Sequence, residues 1–141
     1  MFISKLLKEN LSFMENQKSA IGLDGNIAAA LGYPIGIIAL ILIFIEKENK
    51  FVRFHAIQSL LWGLLMMIAI IAIAIVGTIV ALAAGAASST LGWIIGILVM
   101  LLYLAWLIAC LGGMIYAAVK AYGNNLFKLP IVGSFAEKWS S

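Results

Sequence analysis

From Phe54 to Val119 the chain contains no Asp, Glu, Lys or Arg, and His55 is the only side chain there that titrates near neutral pH. A second uncharged run, Ile27 to Ile45, precedes it, and the two are separated by the charged stretch Glu46 Lys47 Glu48 Asn49 Lys50 Phe51 Val52 Arg53. A soluble core of this size has no room to hide that much apolar side chain. Composition agrees: 65% of residues are hydrophobic, 11% are charged, and the mean hydropathy is +1.13. The chain reads as an all-α integral membrane protein.

Hydropathy and breaker residues divide it into three expected spans, about 26–45, 54–84 and 91–119, within one domain at 26–120. Nineteen residues from Ile27 to Ile45 rise about 28 Å as a helix, close to the hydrocarbon thickness. Pro34 lies inside that run, so the expected helix starts before it and bends there. The second span is longer than the bilayer needs, which predicts tilt, a bend near Gly77, or a first turn at the interface near Trp62. Gly85 Ala86 Ala87 Ser88 Ser89 Thr90 predicts a tight hairpin into the third span.

The flanks are amphipathic. Residues 1–25 carry Ile3, Leu6, Leu7, Leu11 and Met14 at spacings of three and four, with Lys5, Lys8, Glu9, Ser12 and Glu15 on other faces. That pattern predicts an interfacial helix, the alternative being a solvated tail. The charges also break any signal-peptide core. Residues 121–141 interleave Leu126, Phe127, Leu129, Ile131, Val132, Phe135 and Trp139 with Lys128 and Lys138, an interfacial tail interrupted at Pro130.

The net charge of +3 arises from short basic clusters beside apolar runs. They predict contact with anionic headgroups and give no reason to expect nucleic acid. With three spans, the first loop and the tail share one side and hold Lys47, Lys50, Arg53, Lys120, Lys128 and Lys138. The positive-inside rule makes that side cytoplasmic and sets the N-terminus outside, in a multi-pass protein of a prokaryotic cell membrane.

Two groups of residues stand out as candidate sites. Arg53, His55, Gln58 and Ser59 form a polar entrance to the second span, where the last three share a helix face. One reading is a proton, ion or substrate contact. The favoured one is structural: side chains at headgroup depth, still hydrated, that clamp nearby backbone or a lipid phosphate. Gly32, Gly36, Gly92, Gly96, Ala109, Gly113 and Ala117 lie four apart on helix faces and predict close helix contact, within the chain or between chains.

Nothing points to catalysis. The spans hold no Asp or Glu for a paired-carboxylate or His-Glu-x-x-His site, and Ser88, Ser89 and Thr90 have no histidine close in sequence. Cys110 stands alone and the methionines are dispersed, so neither a metal nor another cofactor is expected.

The run Phe44 to Ser59, with Leu31 Gly32 Tyr33 upstream and Leu129 Pro130 Ile131 Val132 Gly133 downstream, resembles small prokaryotic membrane proteins of unknown function grouped with the chloroplast inner-envelope import component Tic-twenty. The resemblance covers about residues 28–133 and implies a compact helical membrane domain associated with protein translocation or complex assembly. The plant proteins have four membrane helices, whereas three spans are expected here. The expected role is a non-catalytic assembly, translocation-accessory or scaffold component working through a homo-oligomer or a membrane-protein partner. The alternative is a subunit of an oligomeric channel or carrier.

Overall fold

The computed structural model describes residues 1–7 and 17–140. Apart from one antiparallel bridge between Lys18 and Asp24, every regular element among them is helical. In chain order these are α1 (residues 2–7), α2 (Gly25–Leu31), α3 (Gly36–Ile45), α4 (Lys50–Ala87), α5 (Ser89–Tyr122) and α6 (Val132–Ser140). They fall into two units, Met1–Gly63 with Gly113–Ser141 and Leu64–Gly112. Of the expected N-terminal amphipathic stripe, α1 carries Ile3, Leu6 and Leu7 exposed; Lys8, Glu9, Leu11, Ser12, Met14 and Glu15 lie outside the described residues.

The continuous helix expected over 26–45 is replaced by two short ones. The helix stops at Leu31, three turn residues follow, and α3 starts at Gly36. Pro34 supplies no N–H and disfavours helical backbone at Tyr33, so the break falls ahead of the proline and a smooth bend does not form. With 7 and 10 residues, α2 and α3 rise about 10 and 15 Å, each well short of the roughly 30 Å hydrocarbon core. They pack on each other through small side chains: Ala28, Ala29 and Ala39 are fully buried, and a Cβ added at Gly32 would lie 3.5 Å from Ala39 Cβ.

By contrast, α4 and α5, with 38 and 34 residues, are long and apolar enough to cross a membrane. Among the described residues two helices have that length, where three spans are expected from sequence. The helix α4 starts at Lys50, ahead of the expected 54, because Asn49 Oδ1 accepts the Val52 N–H at 3.2 Å and caps it. The hairpin is tighter than expected: Ser88 alone separates α4 from α5. In the unit Leu64–Gly112 the two helices meet where a Cβ on Gly92 would come 2.7 Å from Gly85 Cα, and where Tyr103 Oη donates to the Ile70 carbonyl at 3.3 Å.

The unit Met1–Gly63 with Gly113–Ser141 is stapled by polar bonds between segments far apart in sequence. Residues 17–24 make a tight turn, with Ser19 N–H donating to Leu23 O at 2.8 Å and Gly22 at φ 81°, a conformation that suits glycine. Ala20 N–H donates to Glu46 Oε2 at 2.6 Å, Asn49 Nδ2 to Gln17 O at 3.0 Å, and Asn26 Nδ2 to Tyr122 O at 3.0 Å. Asn124, left-handed at φ 58°, ends α5 and turns the tail back. Its helix α6 then seats Ala136 against Phe54 and Ile57.

Candidate functional site

The polar entrance sits on the first turns of α4, where His55 and Gln58 are linked in a knot of hydrogen bonds through Tyr33 of the α2–α3 turn. Gln58 is fully buried, and each end of its amide is used. Oε1 accepts the Leu129 N–H at 3.0 Å, while Nε2 donates to Phe127 O at 2.9 Å and to the Tyr33 hydroxyl at 2.6 Å. The amide therefore acts as a length of β-strand edge, pairing with the tail as backbone would. Tyr33 Oη, already accepting from Gln58, lies 2.9 Å from His55 Nδ1 and has its own proton free for that nitrogen.

His55 is fully buried, which corrects the expectation of a hydrated side chain at headgroup depth. Its ring is boxed edge-on by Phe51, Phe54 and Tyr33, with centroids at 4.6, 5.0 and 5.9 Å. Among the described residues no group meets hydrogen-bond geometry at Nε2. The knot thus ends at the histidine: it has an entrance in the tail backbone and no exit to a carboxylate or a second base.

The other two candidates at this entrance go elsewhere. Ser59 Oγ donates back to the Ala56 carbonyl at 2.9 Å on its own helix, so no serine–histidine pair forms. Arg53 turns away from the knot and lines a groove with Ile43, Ile57, Leu60, Leu61 and Trp139.

The small-residue positions separate just as clearly. Gly32 faces Ala39, Gly92 faces the Gly85 backbone, and Gly113 lies under the Trp62 ring, where a Cβ would be 2.6 Å from Trp62 Cζ2. Ala117 is fully buried, whereas Ala109 is exposed. Gly36 and Gly96 have nothing within 4 Å of where a Cβ would stand.

Tyr33 and Glu46 are missing from the sequence-derived site. Glu46 is buried at 3% exposure, with Oε1 accepting the Asn49 N–H at 3.1 Å and Oε2 the Ala20 N–H. It lines a hollow of about 530 Å³ with Gln17, Lys18, Lys47 and Glu48. In sequence, Glu46 is one charge in a charged loop and Tyr33 one aromatic beside a proline; no spacing announces a partner tens of residues away. Among the described residues no three His, Cys, Asp or Glu side chains converge as metal ligands.

The sequence matches the profile of the Magnetosome magnetite crystal formation protein family over residues 16–136. It is similar to a UPF0132 membrane protein of Methanocaldococcus jannaschii, 37% identical over 126 residues, covering 87% of this chain and 94% of the relative. A UPF0132 membrane protein of Archaeoglobus fulgidus is 34% identical over 114 residues, covering 80% and 92% respectively. A second one from M. jannaschii is 34% identical over 123 residues, covering 85% and 73%. No solved structure matches.

Proposed function

Since the chain belongs to the Magnetosome magnetite crystal formation protein family, with UPF0132 membrane proteins as relatives, we propose that it is a non-catalytic membrane component that works by helix association. The observation that carries this reading is how its groups are divided between internal and external use. Gln58, Ser59 and the Nδ1 of His55 are engaged in holding the fold, while the long helices leave their apolar surface unpartnered. In the most apolar eighteen-residue window of α4 only 11% of residues are buried, and in that of α5 none. Lipid can cover such faces, but where small residues let backbones approach closely a second helix competes with it.

The proposed topology has two spans, 64–87 and 89–112, each rising about 36 Å as a helix. In place of a first span, α2 and α3 form a re-entrant pair that enters and returns on one side. Three contacts support this reading, since they tie residues 17–26 to the loop at 46–49 and to the end of α5. The break at 32–35 suits it too, because buried Gly32 and Tyr33 lie against protein, where irregular backbone is tolerated at membrane depth. All nine Lys and Arg then share one side, with Ser88 on the other, a fuller positive-inside bias than three spans allow. That side is cytoplasmic in this reading, and the N-terminus moves there from its expected place outside.

A crystal-forming role, as the family's description has it, finds little support in this chain's own residues. Its six carboxylates are Glu9, Glu15, Asp24, Glu46, Glu48 and Glu137, and the hairpin at Ser88 has none to offer a mineral surface. The translocation-accessory variant rests on the resemblance of residues 31–33, 44–59 and 129–133 alone.

Cross-linking and native mass measurement in bilayer discs test the association. We expect the wild-type chain to form oligomers or a defined hetero-complex, and Gly96→Leu, on an open face, to lose them while the monomer stays folded. A partnerless wild-type monomer ends the reading. Solute or proton flux in liposomes, lost in His55→Ala with the fold intact, would favour the channel or carrier instead.

A further inference from the structure

A groove of about 320 Å³ runs beside the start of α4, walled by Ile43, Ile57, Leu60, Leu61 and Trp139, with Arg53 as its one charged side chain. The volume is at the small end of the range for ligand sites. The Nε of Arg53 is buried and has no hydrogen-bond partner, and no carboxylate pairs with this arginine among the described residues. A partly buried guanidinium beside apolar walls, with no carboxylate partner among the described residues, favours an acceptor from outside, reached through its terminal nitrogens. We infer that the groove seats one anionic phospholipid, its phosphate on the Arg53 guanidinium and an acyl chain along Ile57, Leu60 and Leu61.

Three features favour a lipid over a soluble anion or a protein carboxylate. Five of the six lining residues are apolar, so a hydrated phosphate would leave most of the groove unmatched. The fork of a guanidinium fits phosphate oxygens in two parallel hydrogen bonds, which a lysine cannot reproduce. Trp139 is 57% exposed at the end of the amphipathic helix α6, beside Phe135 at 50%, and aromatic residues of this kind concentrate at headgroup depth. This inference stands apart from the association reading: a chain that stays monomeric can still hold the lipid.

The full-length protein in mild detergent, titrated with phosphatidylglycerol or phosphatidylcholine and read by native mass spectrometry, gives the test. The expected result is one retained phosphatidylglycerol per chain, bound more tightly than phosphatidylcholine. Arg53→Gln and Arg53→Lys should each weaken it fivefold or more, since neither an amide nor an ammonium reproduces the two parallel hydrogen bonds of a charged guanidinium to phosphate. Lys47→Gln, at an exposed position in the loop that precedes α4, should change retention less than twofold. Leu60→Trp, which fills the groove and leaves the arginine in place, should also weaken it, and it decides the matter if the Arg53 variants do not fold. Equal retention of the two lipids, equal effects of Arg53→Gln and Lys47→Gln, unchanged retention in Leu60→Trp, or glycerol phosphate binding as tightly as the lipid would each overturn the inference.

Discussion

Gln58, on α4, joins the α2–α3 turn at Tyr33 to the tail at Phe127 and Leu129. Its removal leaves the Leu129 N–H and the Phe127 carbonyl without their partner in a buried place. Gln58→Leu is therefore predicted to cost about 2–3 kcal/mol, the penalty of stranded buried polar groups with little cavity term. The same contact can be broken from the other side. A Cβ at Gly133 would stand 2.7 Å from Lys128 Cβ and 3.0 Å from Gln58 Oε1, so Gly133→Ala must push the tail off the amide. We expect a loss of about 1–3 kcal/mol from that overpacking. Because both changes break one contact, the double variant should lose less than the sum, a coupling that denaturant titration in detergent would read. Strictly additive losses would show that Gln58 and the tail are not joined. Glu46 anchors the N-terminal side in the same fashion. Glu46→Ala should free residues 17–24 to limited proteolysis while the long helices persist; equal protection of the two proteins would mean that Ala20 is held by something else.

Among the elements, legibility in sequence followed the range of the forces involved. The long apolar helices could be read directly, since their length and hydropathy are local properties that the bilayer imposes on any such run. In the tail, where an interfacial segment is expected, α6 buries Val132 and Ala136 and leaves Phe135 and Trp139 exposed. What could not be read was the fate of 26–45, where local hydropathy says span and the break is decided by Pro34 together with Ala39, Gln58 and Glu46, residues that hold the pieces from elsewhere. The site shows the same limit. His55 and Gln58 share a helix face, as spacing alone predicts, but their common partner Tyr33 is 22 and 25 residues away. Small residues were visible as a class, yet spacing could not tell which of them meet within the chain. Gly85 and Gly92 give the sharpest case, because they form one contact with unequal room. A Cβ on Gly85 would sit 3.8 Å from Gly92 Cα, an ordinary distance, whereas one on Gly92 would sit 2.7 Å from Gly85 Cα. Gly85→Ala should thus stabilise the hairpin by up to about 1 kcal/mol through helix propensity, and Gly92→Ala should destabilise it. Thermal unfolding of the two variants side by side decides this, and equal shifts of one sign would mean the helices do not touch there.

For the whole molecule, the deciding question is how many times the chain crosses the bilayer, because the answer sets which surfaces face which compartment. A third span at 26–45 would carry the N-terminus across and divide the basic residues between the two sides. In the proposed topology residues 17–26 stay on the side of the loop at 46–49 and of Tyr122, to which they bond. Neither α2 nor α3 has the length to cross alone, and the turn between them is buried at Gly32 and Tyr33. The prediction is that single cysteines at Ser4, Lys47 and Asn125, in a Cys110→Ala background, are all shielded from an impermeant thiol reagent in intact cells, while one at Ser89 is labelled. These positions are exposed, so access depends on the membrane and not on packing. Labelling at Ser4 together with Ser89, and protection at Lys47, would restore the three-span topology and mean that the bonds from 17–26 do not form in the membrane. Labelling at Lys47 and Asn125 with protection at Ser89 would invert the protein, and would place Arg53 and its groove in the outer leaflet.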